Sequence, residues 1–96
     1  MAAYIVFIRE GAVFNAAEME QYARQASAVP NEPGLKPLVI YGHLETLEGK
    51  PADGVVLLEF PSLEEAKAWY QSPEYQAAAE HRKKGANYRV LLLGGV

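Results

Sequence analysis

Residues 69–76 read WYQSPEYQ, three aromatic side chains set around a Ser-Pro step inside an otherwise helical stretch. A proline in a helix interior loses a hydrogen bond and clashes with the preceding turn, at a cost of about 3 kcal/mol. At the first position of a new helix the same residue is well tolerated, and Ser72 before it is a preferred cap. The step is therefore a restart. One helix ends at Gln71, the chain bends, and a second helical segment runs to about Lys84, with Gly85 suited to a left-handed stop. The simplest role for the aromatics is to seal that bend against a sheet; the alternative is a ligand-facing aromatic box.

Working outward, Ser62 caps the first of these helices with Glu65 at the capping-box position, and Leu63, Ala66 and Trp69 or Tyr70 form its inward stripe. Before it lie a strand over Val55–Phe60 (VVLLEF), a hairpin loop over 48–54 (EGKPADG) and a strand over Lys36–Leu47 with Gly42 as a bulge. Residues 29–34 (VPNEPG) form a turn-rich link. The helix preceding that link is capped by Asn15 with Glu18 three residues on, stapled by Phe14 and Met19, and carries Met19, Tyr22, Ala23 and Ala26 on one face. Ala3–Glu10 opens the chain as a strand and Tyr88–Leu93 closes it. The order β-α-β-β-α-β, with its second helix broken at Ser72–Pro73, specifies one α+β domain of ferredoxin-like type: a four-stranded antiparallel sheet with helices on one face.

The strands are apolar at alternate and intervening positions alike. Tyr4, Val6 and Ile8 alternate with Ile5 and Phe7; Val55 and Leu57 with Val56 and Leu58; Val90 and Leu92 with Leu91 and Leu93. Two helices cover only one sheet face. The other would expose an apolar patch larger than a monomer tolerates, so a homodimer through the open sheet face is expected.

Composition narrows the partners. At 96 residues, half of them apolar or aromatic, the chain makes one small globular domain that gains from oligomerising. A net charge of -3 and dispersed basic residues argue against nucleic acid. Arg82, Lys83 and Lys84 form the one basic cluster and read as cations complementing a helix C-terminus. With no cysteine, disulfides and thiolate chemistry are excluded, and a reducing cytoplasm is the expected location. The N-terminal MAAYIVFIRE is too short for a membrane span and lacks the flanks of a signal peptide.

LETLEG (44–49) and VVLLEFPSLEEAKAWYQSPEYQAAAEHR (55–82) resemble the small bacterial family called domain of unknown function 1330, whose members typically read EFPS, A, W-Y, SPEY and R across this stretch. The resemblance runs from Tyr4 to the terminal LLLGGV. It implies a ferredoxin-like protomer of the dimeric α/β-barrel superfamily, two sheets packed face to face. No activity is established for that family, so it supplies no catalytic residue. Its members often carry a glycine-rich, arginine-containing second strand, where this chain has GLKPLVIYGHLE (34–45).

Neither His43 nor His81 stands at a metal-ligand spacing, and no motif supports haem, so no metal or cofactor is expected; His81, between Glu80 and Arg82, reads as solvent-facing. Alternation along the second strand puts His43 on one face with Val39, Tyr41 and Glu45. Arg9 and Glu59 are the other charges in apolar strands, read either as polar pairs or as parts of a site. Pockets in superfamily enzymes lie between sheet and helices. The resemblance thus suggests a cofactor-free protein that binds or transforms a small organic molecule, with His43 and Glu59 as candidate acid/base groups and Arg9, Tyr22, Tyr41, Trp69 and Tyr70 as candidate ligand contacts. The competing class is a non-catalytic dimeric binding or accessory protein.

Overall fold

The computed structural model describes residues 1–30 and 34–96. Its elements are β1 (Ala3–Arg9), α1 (Ala16–Ala28), β2 (Lys36–Ile40), β3 (Gly54–Phe60), α2 (Leu63–Gln71), α3 (Pro73–Gly85) and β4 (Tyr88–Gly94). The sheet order is β2-β3-β1-β4 and every pairing is antiparallel, which makes the fold ferredoxin-like. The middle of the expected link over 29–34 falls on residues 31–33, outside the described residues.

Ser72 builds the break between α2 and α3. Its hydroxyl donates to the Trp69 carbonyl at 2.7 Å and accepts from the Tyr75 amide at 3.2 Å, so one oxygen closes α2 and caps α3. Pro73 takes the first turn of α3, where its missing N–H costs nothing. Ser62 and Asn15 cap α2 and α1 by accepting from the Glu65 and Glu18 amides, each at 3.2 Å. The Glu18 carboxylate does not complete the expected box. It goes instead to His81 Nδ1 at 2.6 Å, while the Gln25 amide nitrogen lies 3.1 Å from His81 Nε2. A Gln amide nitrogen only donates, so Nε2 accepts and Nδ1 carries the proton given to Glu18. His81 is thus a half-buried clasp between α3 and α1, contrary to its expected solvent-facing position.

Three further expectations are corrected. The second strand stops at Ile40, seven residues short of Leu47, because Tyr41 adopts a left-handed φ of 51° and turns the chain out of the ladder. The irregularity of β2 lies between Pro37 and Val39, not at Gly42. Gly85 is no left-handed stop. It is the glycine that lets α1 and α3 meet: a Cβ there would sit 2.7 Å from Met19 Cγ and 3.1 Å from the Asn15 carbonyl oxygen. Its own carbonyl accepts from the amides of Phe14 and Asn15, tying the end of α3 to the start of α1.

Register fixes the two sheet faces. Ala3, Ile5 and Phe7 pair with Phe60, Leu58 and Val56, and this face carries the core together with Ala66, Trp69, Tyr75 and Ala79. Tyr4, Val6, Ile8, Val55, Leu57, Leu91 and Leu93 occupy the other face, where nothing in the protomer covers them; Leu91 and Leu93 remain 39% and 46% exposed. α1 packs on α3 rather than on the sheet, and none of its residues is buried.

Overpacking a close helix contact costs about 1–3 kcal/mol. Gly85→Ala is therefore expected to lower unfolding stability by that amount in urea titration. The double variant Gly85→Ala, Met19→Ala should regain part of it.

Candidate functional site

Because α1 leans on α3, a gap opens between α1 and the β2-β3 half of the sheet. It is a cavity of about 830 Å³. Phe7, Val56 and Leu58 form its floor from the sheet, Leu35, Pro37 and Ile40 one side, and Met19, Tyr22, Ala23 and Ala26 its roof from α1. The polar groups in this apolar wall are few: Arg9, Tyr22, Tyr41, Tyr88, Trp69, Ser27 and Glu20.

Local folding sets each of them. Arg9 ends β1 on the helix side, where its Nη2 donates to the Asp53 carbonyl at 2.8 Å and its Nε is buried without a partner. Tyr41 reaches the cavity through its left-handed turn, and Gly54 makes room for it. A Cβ at residue 54 would lie 2.9 Å from the Tyr41 ring. The Tyr41 hydroxyl meets that of Tyr88 at 2.5 Å, and the Arg9 guanidinium lies 6.0 Å from the Tyr41 ring centre. Trp69 stacks on Tyr75 with centroids 4.3 Å apart, and its indole N–H is buried without a hydrogen-bond partner.

Behind this wall lies Arg82. It is 4% exposed, and its guanidinium carbon stands 5.4, 5.8 and 5.9 Å from the ring centres of Tyr88, Phe7 and Tyr22. Arg82, Lys83 and Lys84 do occupy the last turn of α3, as expected, but Arg82 alone of the three is buried, with Lys83 and Lys84 exposed. Tyr75, wholly buried, joins its hydroxyl to that of Tyr22 at 3.0 Å. A sequence signal for this cluster did exist. Tyr75, Ala78, Ala79 and Arg82 stand at i, i+3, i+4 and i+7, one helix face, and all four are buried.

Burial pushes the phenols up. Desolvation raises Tyr22 and Tyr41 well above the ordinary value, reinforced by the hydroxyl partners Tyr75 and Tyr88. Desolvation also raises Tyr75, against the lowering effect of its bond to Tyr22 and of Arg82. For Arg82, desolvation works to lower its pKa, but the Tyr75 and Tyr22 oxygens outweigh it and the net direction is up.

Of the residues singled out in the sequence, Arg9, Tyr22, Tyr41 and Trp69 meet in the cavity wall. Tyr70 does not line it; its ring packs on Tyr75 from the other side of the bend, centroids 5.3 Å apart. His43 is outside β2, highly exposed and bonded to Glu45 at 2.8 Å, away from the cavity lining. Glu59 faces the open side of the sheet opposite Lys36. Among the described residues, no three His, Cys, Asp or Glu side chains are grouped to hold a metal ion, and no helix is long and apolar enough to cross a membrane.

The family model described as a domain of unknown function (DUF1330) matches residues 2–96. The chain belongs to this family. Among solved structures, a protein of unknown function from Rhodopseudomonas palustris superposes with a TM-score of 0.74 at 18% identity, covering 99% of this chain and 82% of that one. SnoaB, a cofactor-independent oxygenase from Streptomyces nogalater, gives 0.64 at 12% identity, covering 99% and 92%. A dimeric ferredoxin-like protein of unknown function from Thermobifida fusca gives 0.64 at 18%, covering 98% and 90%. These likenesses establish the DUF1330 chain's fold. Comparison with curated proteins gave no match.

The raised phenols make a pH prediction with a definite sign. The unfolded chain loses tyrosine protons near the ordinary value of 10.0, before the folded chain does. Above that pH the folded state holds more protons, so stability is present below it and falls as pH rises through it. Spectrophotometric titration of the six tyrosines should show fewer tyrosinates in folded than in urea-unfolded protein at pH 11, and Tyr22→Phe should narrow that difference.

Proposed function

We propose that this protein is a homodimer that binds a small, mainly apolar organic molecule between α1 and the sheet. The observation that carries the reading is the cavity: about 830 Å³, walled by aliphatic and aromatic side chains with a few convergent polar groups. Ligand pockets run from about 300 to 1,000 Å³ and have this composition. Arg9, Tyr22, Tyr41 and Trp69 are the proposed ligand contacts. His43, Glu59 and Tyr70 lie outside the wall and have no part in this reading.

Turnover of the bound molecule without a cofactor is the second reading. It draws support from the fold shared with the cofactor-independent oxygenase SnoaB, and from the Tyr22 and Tyr41 hydroxyls, two of the few polar groups in an apolar wall. Such likeness in fold does not itself carry an activity.

The homodimer rests on the open face. Leu91 and Leu93 are exposed there, next to the half-buried Val6, Ile8 and Leu57, and a self-complementary patch of this kind is covered most economically by a second copy. The relative from Thermobifida fusca is described as dimeric.

Both parts are testable. N-phenyl-1-naphthylamine, a neutral fluorescent arene, should bind saturably, and Ala26→Trp, which fills the cavity roof, should weaken it by at least about tenfold, or 1.4 kcal/mol. Unsaturable binding, or indifference to Ala26→Trp, would refute the cavity reading. In sedimentation equilibrium at micromolar concentration the protein should run as twice its 10.5 kDa chain mass, and Leu91→Asp should make it monomeric.

A further inference from the structure

The cavity wall is backed by a cation that has no carboxylate. Arg82 is always protonated, nearly fully buried, and among the described residues it takes part in no ion pair. Its neighbours are rings: Phe7, Tyr22 and Tyr88, all three of which also line the cavity. In a low-dielectric interior the field of such a charge reaches several ångströms with little screening.

Beside it lies a hydroxyl pair in which either oxygen can donate. Tyr75 is wholly buried, and its O–H needs an acceptor; the oxygen it meets is that of Tyr22, at 3.0 Å. Arg82 can only donate, so it cannot be that acceptor. With Tyr75 donating to Tyr22, the orientation that satisfies the sealed Tyr75 O–H, the Tyr22 proton is left for the cavity that Tyr22 lines. The orphaned polar atoms have the same sense. Among the described residues, the buried side-chain nitrogens and oxygens without a partner are Arg9 Nε, Trp69 Nε1 and Arg82 Nε, all N–H donors. Two of the three belong to residues of the cavity wall. One carboxylate, that of Glu20, also lines the described wall, from α1.

We infer that the cavity takes its ligand as an organic anion, with the charged oxygen seated at the Tyr22 hydroxyl and facing Arg82. The inference rests on the binding role proposed above and adds the ligand's charge and orientation. A buried cation behind the wall and unpartnered N–H donors within it are complementary to a carboxylate or enolate oxygen and wasted on a hydrocarbon. The chain as a whole carries a charge of -3, so the preference is local to the cavity and not a property of the surface.

The test uses two arenes of the same shape, 2-naphthoate and 2-naphthamide, titrated calorimetrically into the intact protein at neutral pH. Naphthoate is expected to bind at least about tenfold tighter than the neutral amide, a gap of 1.4 kcal/mol. Tyr22→Phe keeps the ring and removes the hydroxyl. It should erase most of that preference, weakening naphthoate binding by a larger factor than amide binding. If the amide binds as well as the acid, or if Tyr22→Phe leaves the preference intact, the anion inference is overturned and the cavity reading stands. If neither arene binds, both fall.

Discussion

Arg82 buried among aromatic rings is the constraint around which the rest of this protomer is arranged. Its guanidinium draws on α3 for its own position, on β1 and β4 for Phe7 and Tyr88, and on α1 for Tyr22. A buried charge is costly unless its surroundings compensate. Here compensation comes from ring faces and phenol oxygens, a soft form of pairing that leaves net positive potential in place. A carboxylate at the same spot would have neutralised it. The arrangement ties α1, α3 and the sheet together around one charge.

The Ser72–Pro73 break is what brings Arg82 there. Had α2 continued straight, the stripe Tyr75, Ala78, Ala79, Arg82 would have no reason to meet both the sheet and α1. The bend aims it inward, and the small residues in its middle let α1 approach α3. Gly85 extends the same logic to the end of the helix, where even one Cβ would meet Met19. The Glu18–His81–Gln25 clasp then holds α1 against α3. A helix fixed this firmly to its neighbour does not need to settle onto the sheet, and the cavity is the space left over.

Much of the fold was legible because its signals are local. Capping residues at 15, 62 and 72, the proline at 73 and the apolar runs each constrain their own few residues, and together they order the elements. The misreadings share one cause: the decisive partner lies far away in sequence. Apolar-polar alternation runs on past Ile40, yet Tyr41 leaves the strand because Gly54 offers its ring a seat. That exit also removes the face on which His43 was to stand. Arg82 looked like a member of a basic trio because its neighbours in sequence are lysines; its neighbours in space are tyrosines from other elements. His81 looked exposed for the same reason, its carboxylate partner being 63 residues away. Charged residues are harder to place than apolar ones because a run of them satisfies a surface reading without further information.

The same contrast bears on the site. Arg9, Tyr22 and Trp69 line the cavity from β1, α1 and α2, elements whose inward faces could be read, whereas Tyr41 reaches it through a turn that alternation does not show. What could not be read is the hydrogen bonding behind them. Only the fold shows that one hydroxyl of the Tyr22–Tyr75 pair is sealed behind the other, with Arg82 beside both. The chemistry of the cavity is thus decided one layer behind its surface. Two residues outside its wall, Tyr75 and Arg82, are the neighbours that set the surroundings of the Tyr22 hydroxyl and ring.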